Sequence, residues 1–155
     1  MVEKWKWYGE NRIIEQVIDN SELLKDYNVF YKVTWRYIVK NINNIIKNEE
    51  KKENIFFLSP FWKHSLATSF FKCNKNLFKE QLYGLWEYVN DKEWCYLENV
   101  YYKTLKEYKD WGWKIECFRE LPDFSWFMWS WVKLDTNILL KPVKTFLNKI
   151  NMFKL

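Results

Sequence analysis

Apolar positions recur at helical spacing through much of the chain, with two places where the period shortens. Ile13, Ile14, Val17 and Ile18 predict a short helix over 10–19. In residues 29–39, Val29, Tyr31, Val33, Trp35, Tyr37 and Val39 alternate with Lys32, Thr34, Arg36 and Ile38. β-Branched and aromatic residues at a period of two predict a strand. Phe30, Val33, Tyr37, Ile38, Ile42, Ile45 and Ile46 also fit a helix running to Lys47. A strand followed by a helix satisfies both patterns. The polar run from Asn48 to Asn54 predicts a solvated loop.

The middle of the chain predicts three helices. Ser59-Pro60 combines a capping side chain with a proline suited to the first helical position. Phe61, Trp62, Ser65, Leu66, Ser69, Phe70 and Cys73 then keep helical phase. Leu77, Phe78, Gln81, Leu82, Leu85, Trp86 and Val89 form a second stripe. Asp91 opens a third, with Trp94, Leu97, Tyr101, Leu105 and Tyr108 on one face. Short links between them predict antiparallel neighbours.

Helical phasing stops at Asp110-Trp111-Gly112. Residues 113–120 alternate, Pro122-Asp123 is a turn signal, and 125–134 read as extended. These predict a hairpin of 113–120 with 125–134. A last helix is expected from Pro142, burying Val143, Phe146, Leu147, Ile150 and Phe153. The expected fold is α+β and predominantly helical: antiparallel helices packed with a small antiparallel sheet or hairpin near the C-terminal third. No stretch inside the chain reads as a linker, so residues 1–155 are expected to form a single domain.

Composition narrows the function. At 155 residues and 48% hydrophobic, the chain can bury a sizeable core without metal or disulfide. The N-terminus carries charge where a signal peptide needs an apolar run, and the apolar stretch Phe124–Val132 is too short to span a bilayer. Three widely spaced cysteines, Cys73, Cys95 and Cys117, fit reduced thiols and a cytoplasmic setting. The net charge of +5 is almost entirely lysine, since only Arg12, Arg36 and Arg119 are arginines. Abundant Lys and Asn with little Arg point to an AT-rich coding genome: a low-GC bacterium, its phage or plasmid, or an AT-rich protist. Lysine is a point charge that lacks arginine's bidentate fork, so sequence-specific DNA reading is disfavoured.

The sequence offers little conventional chemistry. Phe61-Trp62-Lys63-His64-Ser65-Leu66-Ala67 is locally similar to a helix of HD-type hydrolase and HDOD domains. His64 is the only histidine, however, and one histidine cannot supply that metal site. The same count and the scattered cysteines exclude a zinc site, so no metal is expected. His64 is expected on a helix surface or as a satisfied core group. At nine residues apart on one helix, His64 and Cys73 would lie on opposite faces, which disfavours a Cys–His nucleophile. Gly9, Gly84 and Gly112 stand alone and form no phosphate loop, so no cofactor is expected. Asp91 with Glu107-Tyr108-Lys109 superficially matches a nuclease pattern, but on helices rather than strands. The expectation is a protein that is not an enzyme.

Two surfaces remain. Trp111, Trp113, Trp126, Trp129 and Trp131 crowd the hairpin region, with Lys133 beside them. An extended 125–134 carries aromatics on both faces, and only one face can rest on the helices. Exposed Trp is a usual interface anchor. The expected function is therefore a binding or inhibitory protein that engages a macromolecular partner, most simply a protein, through an aromatic surface. Its setting resembles that of phage or mobile-element inhibitors and immunity proteins. The alternative is non-sequence-specific nucleic-acid binding by Lys63, Lys72, Lys75 and Lys79, which interleave with aromatics in an acid-free window. Lys141, Lys144, Lys149 and Lys154 give the last expected helix a basic face suited to a partner or an anionic surface.

Overall fold

The computed structural model describes residues 6–34, 37–58, 64–112, 114–127 and 133–134. Its elements are α1 (Lys6–Asn20), β1 (Val29–Val33), β2 (Tyr37–Val39), α2 (Ile42–Asn48), β3 (Ile55–Phe56), β4 (Phe70–Asn74), α3 (Lys75–Leu77), α4 (Leu97–Asp110), β5 (Glu116–Cys117), β6 (Phe124–Phe127) and β7 (Lys133–Leu134). The architecture is mixed α+β. One sheet runs β1-β4-β3-β5 and the other β2-β6-β7. The helix expected from Pro142 lies outside the described residues.

β4 organises the first sheet. It pairs antiparallel with β1, placing Tyr31 opposite Lys72 and Val33 opposite Phe70, and with β3 through Ile55 and Lys72. This corrects the expected helix over 61–73: Phe70–Asn74 is a strand. Phe70, Phe71, Lys72 and Cys73 are all buried, so both faces of the strand are covered. A short run buried on both faces carries no alternation and cannot be told from a helix by periodicity.

The alternation over 29–39 yields two strands in different sheets. The Thr34 N–H donates to Ser69 O at 2.9 Å, and its carbonyl accepts the Tyr37 N–H at 2.9 Å, turning the chain out of β1 and into β2. α2 follows, as expected of a strand-then-helix reading. The expected second helix is fragmented. α3 runs into a π-turn over Phe78–Leu82, closed by the Tyr83 N–H on Phe78 O at 2.8 Å. Gly84 then takes φ +78°, a left-handed conformation that a side chain would strain, before a 3₁₀ turn at Leu85–Tyr88. The third helix starts at Leu97, not Asp91. Leu97, Val100, Tyr101 and Leu105 form its buried stripe, but Trp94 does not belong to it.

The expected hairpin is also rearranged. β5 pairs in parallel with β3, while the hairpin is β6 with β7, and β6 lies beside β2. Asn41 sets this path. Its Oδ1 accepts the Asp123 N–H at 2.8 Å and its Nδ2 donates to Leu121 O at 3.1 Å. The chain after Pro122 is thereby carried to β2 rather than folded back on 113–120.

Two apolar clusters flank the first sheet. On one side Phe56, Phe71 and Cys73 pack with Ile14 and Ile18 of α1 and with Leu97, Tyr101 and Leu105 of α4. On the other, Ile55 and Phe70 pack with Val39, Ile45, Phe57 and Phe118. Aromatic pairs tie both: Phe56 stacks on Phe71 at 5.3 Å, and Phe70 meets Phe118 at 5.2 Å. Phe70→Ala and Phe71→Ala should each lower unfolding free energy by about 3–5 kcal/mol. Ile13→Ser, on the exposed face of α1, should change it by no more than about 0.5 kcal/mol. Urea midpoints measure all three.

Candidate functional site

Two of the described lysines of the expected nucleic-acid patch, Lys72 and Lys75, are engaged by backbone carbonyls. Lys72 is 5% exposed. Its ammonium donates to Glu49 O at 2.7 Å and Glu50 O at 3.3 Å, and lies 5.3 Å from the Tyr31 ring centroid. Burial pushes its pKa down, and Glu49, Glu50 and Glu53 oppose that shift. Lys75 donates to Leu24 O at 2.7 Å and Lys25 O at 3.3 Å. Lys79 stands 3.5 Å from Asp19. Lys63 lies outside the described residues. The structure thus corrects the placement of Lys72: an interior strand directs this residue inward, to the carbonyls at the end of α2.

Of the expected aromatic surface, Trp111 is 70% exposed, its ring 5.1 Å from that of Tyr108 at the end of α4. Trp113, Trp129 and Trp131 lie outside the described residues. Trp126 and Lys133 fall on the backbone of the β6–β7 hairpin.

A second exposed indole was assigned to a helix by spacing. Asn90 and Cys95 exchange backbone hydrogen bonds of 2.9 and 3.0 Å, closing a tight loop whose last residue is Trp94. Trp94 has φ +57° and is 71% exposed. A bulky side chain in the left-handed region costs roughly 1–2 kcal/mol, and the exposed ring gains little internal packing in return. Its internal ring contact is edge-to-face with Tyr96 at 6.2 Å. Tyr88, whose carbonyl faces Cys95 Sγ at 3.7 Å, is also exposed. The helical spacing Trp94–Leu97–Tyr101 hid this loop, whereas Asn90-Asp91 is the turn signal that marks it. Trp94 and Trp111 flank the 14-residue α4, so about 21 Å of helix separates them.

Buried polar groups collect where α1, β1, α4 and the 64–69 segment meet. The Lys32 ammonium donates to the Glu10 carboxylate, to Thr34 Oγ1 at 2.8 Å and to Thr68 O. Burial lowers its pKa, and Glu10 and Glu98 pull the other way. Thr68 Oγ1 donates to Glu98 Oε1 at 3.2 Å, while the buried Glu98 Oε2 has no hydrogen-bond partner among the described residues. Burial raises the Glu98 pKa and Glu10 adds to the rise; its own backbone N–H, the Thr68 hydroxyl and Lys32 oppose it. One helical turn away the Tyr101 hydroxyl donates to Asn11 Oδ1, and Asn11 Nδ2 donates to Glu15 Oε1 at 2.9 Å. All three Lys32 protons have oxygen partners, so this group acts as a tie between elements.

His64 is on an exposed turn rather than a helix, with φ +57° and Nδ1 3.4 Å from Tyr102 Oη. Cys73 is buried in the apolar core, and burial raises its thiol pKa, which suits a packing role rather than a nucleophile. Among the described residues, no group of three or more His, Cys, Asp or Glu side chains could hold a metal ion, and no helix is long and apolar enough to cross a membrane. Comparison of the chain with protein-family models, curated proteins and solved structures finds no match.

Lys72→Ala should cost about 2–3 kcal/mol, because it removes two hydrogen bonds from a charged donor, to Glu49 O and Glu50 O. Lys79→Ala, at an exposed ion pair, should cost less than about 1 kcal/mol. Chemical denaturation of both variants at one pH distinguishes the two environments.

Proposed function

We propose that this chain is a non-enzymatic binding or inhibitory protein that engages a macromolecular partner, most simply a protein, through exposed indoles. By type it is a phage or mobile-element inhibitor or immunity protein, acting as a single domain in the cytoplasm. The observation that carries this reading is Trp94: a tryptophan held in left-handed backbone with its ring in solvent. Backbone strain that internal packing does not repay is a known mark of functional segments. A large rigid aromatic presented on a tight loop suits an interface anchor. Trp111 and Tyr88 extend the aromatic surface. The internal engagement of Lys72 and Lys75 by backbone carbonyls favours a protein partner over the nucleic-acid alternative.

The test is affinity capture from the native host with and without nuclease, using the wild-type chain and Trp94→Ala/Trp111→Ala. The expected result is a nuclease-resistant partner retained by the wild type and lost by the double variant at unchanged thermal midpoint. Capture that persists in the variant removes these indoles from the interface. Capture abolished by nuclease, and falling steeply with salt, transfers the reading to nucleic acid.

Trp94→Gly gives a separate prediction. Glycine occupies φ +57° without strain, so this variant should gain about 1 kcal/mol of stability while losing partner capture. Thermal denaturation and capture assays on one preparation measure both. A destabilised Trp94→Gly would show that the ring supports the fold rather than a partner.

A further inference from the structure

The segment His64–Thr68 crosses the start of α4 as a strap, and Glu98 is at the centre of its attachment. The Leu66 N–H donates to Glu98 O at 3.1 Å. The Thr68 hydroxyl donates to Glu98 Oε1 at 3.2 Å, Asn99 Nδ2 donates to His64 O at 3.2 Å, and His64 Nδ1 lies 3.4 Å from Tyr102 Oη. On its other side the strap is held by the Ala67 N–H on Phe57 O at 2.9 Å and a bridge between Leu66 and Leu58. It covers part of the first core, since Leu66 is buried against it, and it begins at the left-handed His64.

Charged and titratable groups face Glu98 from every side. α1 contributes Glu10, and β1 contributes Lys32. The strap contributes the Thr68 hydroxyl and carries His64, while α4 contributes Tyr101, whose hydroxyl lies in the field of both Glu10 and Glu98. Among the described residues the cation facing it, Lys32, directs its protons to Glu10, Thr34 and Thr68 O. An ionised Glu98 would have the Thr68 hydroxyl and its own backbone N–H as donors, and a buried Oε2 with no hydrogen-bond partner among the described residues, beside the carboxylate of Glu10. A neutral carboxyl with a proton on Oε2 avoids burying that charge.

We propose that Glu98 is a proton-operated latch: neutral, it fastens the strap across α4, and ionised, it loosens the strap and uncovers the apolar surface beneath Leu66. The direction follows from linkage. The closed form holds the Glu98 proton more tightly than the open form, where the carboxyl is solvated. Closure is therefore strongest below the ordinary carboxyl range. It weakens as pH rises through the interval up to the raised value and then levels off.

Amide hydrogen exchange of the full chain reads the latch directly. Protection of the Leu66 and Ala67 amides, corrected for intrinsic exchange, is measured between pH 4.5 and 8. One released proton predicts a fall of up to about tenfold per pH unit through the sensitive interval. The Cys73 amide in the central strand should show no comparable fall, separating strap opening from global unfolding. Glu98→Gln should hold Leu66 and Ala67 protection flat with pH, and His64→Asn should keep the wild-type response. Flat protection in the wild type overturns the latch, and so does an undiminished response in Glu98→Gln or its disappearance in His64→Asn. Should Glu98→Gln fail to fold, the wild-type Glu98 carboxyl carbon shift decides by NMR titration. A midpoint above the ordinary carboxylate range supports the latch, and an ordinary midpoint overturns it.

Discussion

The fold depends on a strand that has no solvent face. Phe70–Asn74 lies between two apolar clusters, so its successive side chains must each find an interior solution. Phe71 and Cys73 serve one cluster and Phe70 the other. Lys72 shares the Phe70 side and cannot be satisfied by apolar contact. Its ammonium requires oxygen partners, and these come from Glu49 and Glu50 at the end of α2. The helix end gains as well, because its last carbonyls carry the negative end of its dipole; Glu49 O also accepts the Lys52 N–H at 3.2 Å. A buried cation and a helix terminus thus solve each other's deficits, and α2 is fixed against the sheet by the pair.

Lys32 repeats the arrangement on the opposite face. It sits across from Phe71 in the β1–β4 register, as Lys72 sits across from Tyr31. Each ammonium lies over the ring of its cross-strand neighbour, at 5.9 Å for Phe71 and 5.3 Å for Tyr31. Each then reaches past the ring to oxygen atoms of another element: α1 and the strap for Lys32, the end of α2 for Lys72. The two faces differ in their acids. Glu49 Oε1 accepts the Arg119 N–H at 2.6 Å, and its Oε2, though it makes no hydrogen bond among the described residues, lies 2.8 Å from the Lys52 ammonium. Glu98 has one engaged oxygen and one that is buried and unpartnered. The difference is the cation held at ion-pair distance from the second oxygen of Glu49, which Glu98 lacks among the described residues, and that is the imbalance the latch would exploit.

The parts of this fold legible in the sequence were those with one buried face. α4 shows its stripe plainly, with Leu97, Tyr101 and Leu105 buried as their spacing predicts; of the α1 set, Ile14 and Ile18 are buried but Ile13 and Val17 are exposed. The 29–39 alternation gave strands correctly but hid the turn at Thr34, since pairing to Ser69 is a long-range event with no local signal. β4 was lost because burial on both faces erases the period on which the reading relied. Exposure of single aromatics was legible only in part. Trp111 is exposed as its region implied, but Trp94 fits a helical stripe so well that spacing alone buries it.

The abundance of aromatic side chains separates into two populations with different physical logic. Phe56, Phe70, Phe71, Phe78 and Tyr101 are fully buried and stack or meet edge-on around the central strand; they are the means by which so short a sheet fills two cores. Trp94 and Trp111 do not contribute to either core. Both stand just beyond the ends of α4, where the helix must stop: one after a loop closed by Asn90 and Cys95, the other before Gly112 at φ +92°. Helix ends are where backbone is already irregular, so an outward ring there disturbs no stripe and no ladder. The chain accepts a left-handed tryptophan at one of these ends although glycine would relieve the strain. That choice makes sense if the ring, and not the loop, is the feature being kept.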